Sequence, residues 1–431
     1  MTLQSYRESH PAFSPSCVEV EPGWLRGFRD SELKRLEEGG FPTVKVEEWR
    51  YSNPAKVTGR EWRHLDAGGA IREGAVEASR IDGAAAELVF VDGIFNRELS
   101  RLSEMGEGVT IAPLSEAFST MGELVEGLLS RPADGFTAAN GAFLQDGALV
   151  HLSRGVEVEG IIHLIFTTSE GASGAVSHCR NLVVLERGAA GVLVESHLSR
   201  GQNLANSHSE IVLQEEAALE HHIWQRGGND SSWIGRSEIT QGRDSAYDSH
   251  TFWLGGGWVR HDLRVRLQQP GAFCNLDGLY LLDGDQHLDN HTEIQHRAPH
   301  CTSRELYKGI IGGRGRAVFN GKVLVEKPAQ RTDSEQANHN LLLSRGAEID
   351  TKPELEIYAD DVKCAHGATT GQLNETSLYY LRTRGIPEAK AVHMLTEAFA
   401  LEQVEAVEEE TLNAKVASYV NERLERMERG E

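Results

Sequence analysis

Between residues 141 and 375 the chain repeats a short unit: an apolar run, two polar residues, then a glycine or other small residue at a corner. It reads "VVLERGAAG" at Gly188, "IVLQEEAAL" at Ala217, "RVRLQQPGAF" at Gly271 and "NLLLSRGAEI" at Gly346. The gaps between corners are roughly multiples of 26 to 30 residues. Val, Ile and Leu dominate the runs, and no long helical period interrupts them. A coil of two or three such strands is too small to bury its own inward side chains. It must be covered by the coils on either side, so the pattern predicts a stacked β-helix. A β-sandwich or barrel with regular turns satisfies the same pattern and stays open at this point.

The flanks differ in texture. Residues 1–140 read as a mixed, partly helical α/β region. In "GWLRGFRDSELKRLEEGG", Leu25, Phe28, Leu33 and Leu36 have helical spacing, ended by Gly39 and Gly40. "ELVFVDGIFNREL" predicts a strand, a turn and a strand, and "APLSEAFSTMGELVEGLLS" predicts a helix. Residues 376–431 read as helical. Gly385 suits the end of one helix and Pro387 the start of the next. Val392, Leu395 and Phe399 form one apolar stripe. Leu412, Val416, Tyr419, Val420, Leu424 and Met427 form another, and both stripes require something to pack on.

Charge narrows the function. At a formal net charge of −22, the surface repels nucleic acid and anionic membranes. No apolar run reaches the ~18 residues of a membrane span. The first residues lack the basic-then-apolar order of a signal peptide, so a cytoplasmic protein is expected. The five cysteines (Cys17, Cys179, Cys274, Cys301, Cys364) are odd in number and scattered, with no CxxC. That argues against a disulfide framework and against a four-thiolate zinc site. "GGRGRAVFNGKVLV" (Gly312 to Val325) is glycine-rich but leads into a strand, and GxxxxGK[ST] is absent. Without a helix N-terminus to face phosphates, no nucleotide is expected on this chain. GxSxG is absent too, so nucleophilic catalysis has little support.

Two constellations could bind metal. "HLDNHTEIQHRAPHC" holds His287, His291, His296, His300 and Cys301. Imidazoles at that density suit Zn, Fe or Ni. In strands and turns, however, these side chains diverge, so polar ladders and turn hydrogen bonds are expected. The second is Cys364 with His366 in "DDVKCAHGATTGQ". On a strand an i, i+2 pair shares one face, with Cβ atoms ~7 Å apart. That is too far for a thiolate–imidazolium pair but suits two ligands of one metal or cluster edge. The plain alternative is a buried cysteine beside a satisfied histidine.

Around these residues the chain resembles a known family. "ADDVKCAHGATTGQLNETSLYYLRTRGIP", "LYLLDGDQHLDNHTEIQHRAPHCTSRELYKGIIGGRGRAVFNGKVLV" and "FPTVKVEEWRYSNP" are similar to three separated segments of the SufB/SufD family, the scaffold subunits of SUF iron–sulfur cluster assembly. "CAHGATT" stands where SufB proteins carry "EHEATT", and Asn338 falls where they carry a cysteine. The likeness is therefore to the SufD side. It implies a mainly β protein with a right-handed parallel β-helix core between an N-terminal and a C-terminal helical region. It also implies a non-catalytic scaffold in a complex with SufB and the ATPase SufC, and a transient iron–sulfur cluster shared with SufB. By the same likeness, SufB meets the β-helix core and the His366 region, and SufC docks on the C-terminal helices. A homodimer is expected when the chain is isolated. His366 corresponds to a histidine at the SufB interface that helps ligate or assemble the cluster, and Cys364 to a nearby cysteine. A chain cut before Pro387 is expected to keep its core and lose SufC. A different class, a stand-alone β-helix carbohydrate-active enzyme, stays as the alternative, as does a structural SufB partner to which His366 brings no ligand.

Overall fold

A computed structural model describes residues 3–13, 21–65, 68–103, 105–129 and 134–429. Cys17 lies outside them. The repeated runs become strands, most of them ten residues long from Leu204 onward. They alternate between two long sheets. One sheet passes through Ala175–Leu185, Leu204–Leu213, Ser232–Gln241, Trp258–Leu267, His287–His296 and Arg316–Val325 to Glu348–Ile357. The other passes through Glu157–Thr167, Ala190–His197, Ala218–Gln225, Ala246–Trp253, Phe273–Leu282, Thr302–Ile311 and Asp333–Leu342 to Lys363–Gly371. Every pairing between these strands is parallel. The coil length runs from 26 residues, between the partners Ser232 and Trp258, to 33, between Glu157 and Ala190. The chain is thus a β-helix, and the sandwich and barrel alternatives fall.

Side chains alternate inward and outward along each strand. Inward residues stack coil on coil, as in the register Tyr247, Cys274, Ser303, Ser334. The interior is filled by fitting large against small. Gly278 lies beside Tyr307, and Gly309 beside Tyr280. A Cβ on Gly309 would overlap the Tyr280 ring.

The corners stack as well. Gly188, Glu216, Asp244, Gly271, His300 and Arg331 all have left-handed φ, between 52° and 79°. The N–H of each donates to a carbonyl one coil further on, at 2.6–3.4 Å. One of the expected corners, Gly346, lies in the other corner column, between Leu342 and Glu348. Two columns were therefore merged in the sequence pattern, which explains its imperfect period.

The N-terminal region caps one end. Ala86–Val91 continues one sheet, parallel to Glu157–Thr167, and Val109–Pro113 continues the other, antiparallel to Ala148–Leu152. The expected strand–turn–strand is present as Ala86–Val91 and Ile94–Phe95. The single helix expected after it is two, Leu114–Thr120 and Gly122–Leu128, because Met121 leaves helical geometry at φ −132°.

Three helices follow the last strand: Glu375–Thr383, Glu388–Glu405 and Glu410–Arg429. The last two cover an outer sheet face made by Trp224, Phe252, Leu279, Leu281 and Ile310. Leu412, Val416, Tyr419, Val420 and Leu424 are buried there, as their stripe requires. In Glu388–Glu405 the fully buried side is instead Ala391, Thr396, Ala400 and Val404, and Val392, Leu395 and Phe399 are half-buried. Small residues let that helix approach. A cut before Pro387 would uncover Trp224 and its neighbours.

Candidate functional site

The N-terminal end of the rod is capped, whereas the C-terminal end is open. Lys363–Gly371 is bonded along one edge to Asp333–Leu342 and is the terminal strand of its sheet, as Glu348–Ile357 is of the other. Register puts Cys364 beside Ser334 and His366 beside Gln336. Ser334 and Gln336 are buried interior residues, with 0% and 3% of their surface exposed. The same positions one coil on have no described strand above them. His366 is exposed and makes no hydrogen bond or ion pair to any described residue. Cys364 is half-buried and packs on the edge of the interior core. Burial pushes its thiol pKa up, Asp333 adds to this, and the Ser334 backbone opposes it. The thiol is therefore protonated at neutral pH, not an activated thiolate.

Beneath these two residues the interior turns polar. Gln336 Nε2 donates to Glu305 Oε2 at 2.6 Å. Burial raises the Glu305 pKa to about 7, against the hydrogen bond from Gln336 that lowers it. Ser303 Oγ donates to Ser334 Oγ at 2.8 Å, and His296 Nε2 lies 2.9 Å from Ser303 Oγ. Asn338, set against a SufB cysteine in the sequence comparison, is buried inside the rod and donates to Tyr280 Oη at 3.1 Å. This end of the interior is built of groups that tolerate water or a polar partner.

The histidine-rich segment does not converge. His287 lies 2.6 Å from Ser52 Oγ on the outer face, His291 lies 2.9 Å from Asp289, and His296 points into the core. His300 occupies a corner at φ 62°, and Cys301 is buried. Polar ladders and turns account for them, and among the described residues no three form a ligand set. Groups of potential ligands lie elsewhere: Glu220, His222 and His250, overlapping Asp248, His250 and Asp277. The signal was present in "LEHHIW" and "YDSHTF", but the two motifs lie 28 residues apart and meet only through the coil register.

The described residues thus form a parallel β-rod with a capped start, an open end and a helical flank. Residues 166–399 match the family described as "SUF system FeS cluster assembly, SufBD core domain", and residues 4–164 match "SufBD protein N-terminal region". The chain belongs to the SufBD family of iron–sulfur cluster assembly proteins. Proteins named SufD are among its relatives. It is 30% identical over 397 residues to the iron-sulfur cluster assembly protein SufD of Escherichia coli, covering 91% of each chain. It is 32% identical over 433 residues to an iron-sulfur cluster assembly SufBD family protein of Synechocystis, covering 93% of each. SufD of Bacillus subtilis is 23% identical over 433 residues, covering 97% of this chain and 96% of that one. Among the described residues no helix is long and apolar enough to cross a membrane.

Proposed function

We propose that this chain is the SufD-like half of a cytoplasmic scaffold, pairing with SufB through the open end of its β-helix and docking the SufC ATPase on its C-terminal helices. The three regions, 1–140, 141–375 and 376–431, then serve as cap, rod and docking flank. The chain binds no nucleotide and catalyses no reaction itself. An iron–sulfur cluster, as cargo, is held for a time between the two scaffold subunits.

The observation that carries this reading is His366: an exposed imidazole without a partner among the described residues, on a strand whose outer edge none of them pairs. Neutral imidazole is a borderline ligand that suits iron, and fewer thiolates hold a cluster less tightly than four. That suits a scaffold which must release its product. Cys364 stands two residues away, protonated and half-buried, as a second ligand that would have to lose its proton. Exposed aromatic and apolar side chains support the docking surface: Tyr379 is 70% exposed, Tyr380 56% and Met394 38%.

The test is co-expression with SufB and SufC, followed by anaerobic reconstitution. His366→Ala is expected to leave all three chains co-purifying and to abolish bound iron, sulfide and visible absorption. Normal assembly in that variant would remove His366 from the mechanism.

A further inference from the structure

Three consecutive coils present an i, i+2 pair of polar side chains on the outer face of one sheet. They are Glu220 and His222 on Ala218–Gln225, Asp248 and His250 on Ala246–Trp253, and Asn275 and Asp277 on Phe273–Leu282. The register aligns them: Glu220 with Asp248 with Asn275, and His222 with His250 with Asp277. Strands ~4.8 Å apart and side chains two residues apart thus make a compact array.

Its geometry resembles a ligand set. His222 Nε2 lies 2.7 Å from Glu220 Oε1, and His250 Nε2 lies 3.4 Å from Asp248 Oδ1. The two imidazoles stack with centroids 4.9 Å apart. Ligand atoms of Glu220, His222 and His250 all fall within 4.8 Å of one another. Atoms bound to one ion at ~2.1 Å are at most ~4.2 Å apart, so small side-chain movements close the set. Behind it, His250 Nδ1 faces Asp277 Oδ2 at 4.0 Å. Asn275 Nδ2 donates to Asp248 at 2.8 Å and to Asp277 at 2.7 Å, holding both carboxylates. A carboxylate behind the far nitrogen of an imidazole is the usual support of a metal-bound histidine.

Two further observations separate this array from an ordinary polar ladder. First, His222 and His250 are 0% and 2% exposed, yet the Nδ1 of each has no hydrogen-bond partner among the described residues. Second, among the described residues Glu220, Asp248 and Asp277 form ion pairs with histidine alone, and none with lysine or arginine. The outer face of the other sheet answers its acids differently. There Arg236 pairs with Glu238 at 2.8 Å, Arg260 with Asp289 at 2.6 Å and Arg264 with Glu293 at 2.6 Å. Three carboxylates gathered around two imidazoles suit a bound cation. Access exists, because the Asp248 side chain is 44% exposed and that of Glu220 26%.

We propose that Glu220, His222 and His250 bind a divalent first-row transition metal, with Asp248 beside it and Asp277 supporting His250. Two imidazoles and a carboxylate favour iron, zinc or nickel over magnesium or calcium. The site lies on a side of the rod and is independent of the role given to His366.

The test uses the untagged full-length chain under anaerobic conditions, titrated with Co(II) followed by absorption and with Fe(II) followed by equilibrium dialysis. One ion per chain is expected, with at least a tenfold loss of affinity in His250→Gln and in Glu220→Gln. His366→Ala should bind as the wild type does. Melting curves check folding, and if His250→Gln does not fold, the partly exposed Glu220→Gln decides. Absence of stoichiometric binding would overturn the site, as would unchanged affinity in Glu220→Gln or stronger binding of calcium than of cobalt. Loss of the ion in His366→Ala would place it at the rod end instead.

Discussion

His366 stands one rung outside Gln336, in register with it, and Gln336 in turn donates to the carboxyl of Glu305. The exposed imidazole is therefore the outermost member of a polar column that begins inside the rod. Each lower member needs the one above or below it, since a buried amide or carboxyl without a partner is costly.

Glu305 makes stability depend on pH. Burial holds its pKa at about 7 in the folded chain, against an ordinary 4.5. Between those values the folded chain keeps a proton that the unfolded chain has lost, so this group's contribution falls as pH rises through that window. Ionising it in place costs roughly 3 kcal/mol. Glu305→Gln should match the wild type near pH 4 and be the more stable of the two at pH 8. Denaturant titrations across that range check this. Parallel profiles for the two proteins would contradict it.

Cys364 should be a sluggish nucleophile. Its thiol pKa is raised by burial and by Asp333, and Cys179, Cys274 and Cys301 are buried outright. Iodoacetamide should label Cys364 slowly at pH 7 and faster as pH rises above 9, but ahead of those three. Peptide mass mapping reads the rates. Rapid stoichiometric labelling at neutral pH would show a thiolate that this environment does not favour.

Gly309 has no room for a methyl group, because the Tyr280 ring occupies the space. Gly309→Ala should cost about 1–3 kcal/mol by overpacking. Tyr280 also bonds Asn338 and Asn340, so its displacement would break two interior contacts. Thermal unfolding measures the loss. An unchanged midpoint would mean that the ring can turn aside freely.

Tyr379 and Tyr380 lie on Glu375–Thr383, a helix with no buried residue. Replacing both with serine should leave the melting temperature within about a degree, since exposed substitutions change stability by ~0.5 kcal/mol or less. On the docking assignment it should also weaken SufC capture at least tenfold. Undiminished capture would move the docking surface elsewhere on the flank.

Much of the fold was legible because a β-helix writes its period into the chain: strand alternation, then a corner, then the same again. The corner column was less legible, since Glu216, Asp244, His300 and Arg331 hold left-handed positions usually given to glycine. His300 shows how this misleads, because a residue counted among possible ligands is a corner residue. The buried side of Glu388–Glu405 was obscured for another reason. Close approach to the sheet favours Ala391 and Ala400 over the larger Val392 and Phe399. Cys364 and His366 were visible as a shared-face pair two residues apart. The Glu220, His222 and His250 group was not, because its members become neighbours only after the coils stack.

The strand that carries His366 is held along a single edge. Amide protons there should exchange sooner than those of any interior rung, and no described residue hydrogen-bonds the ring they support. A partner that completes the hydrogen bonding would thus immobilise the imidazole in the same act. On the proposed pairing, joining the subunits and setting the ligand would become one event, and a solitary chain would offer iron only a loose end.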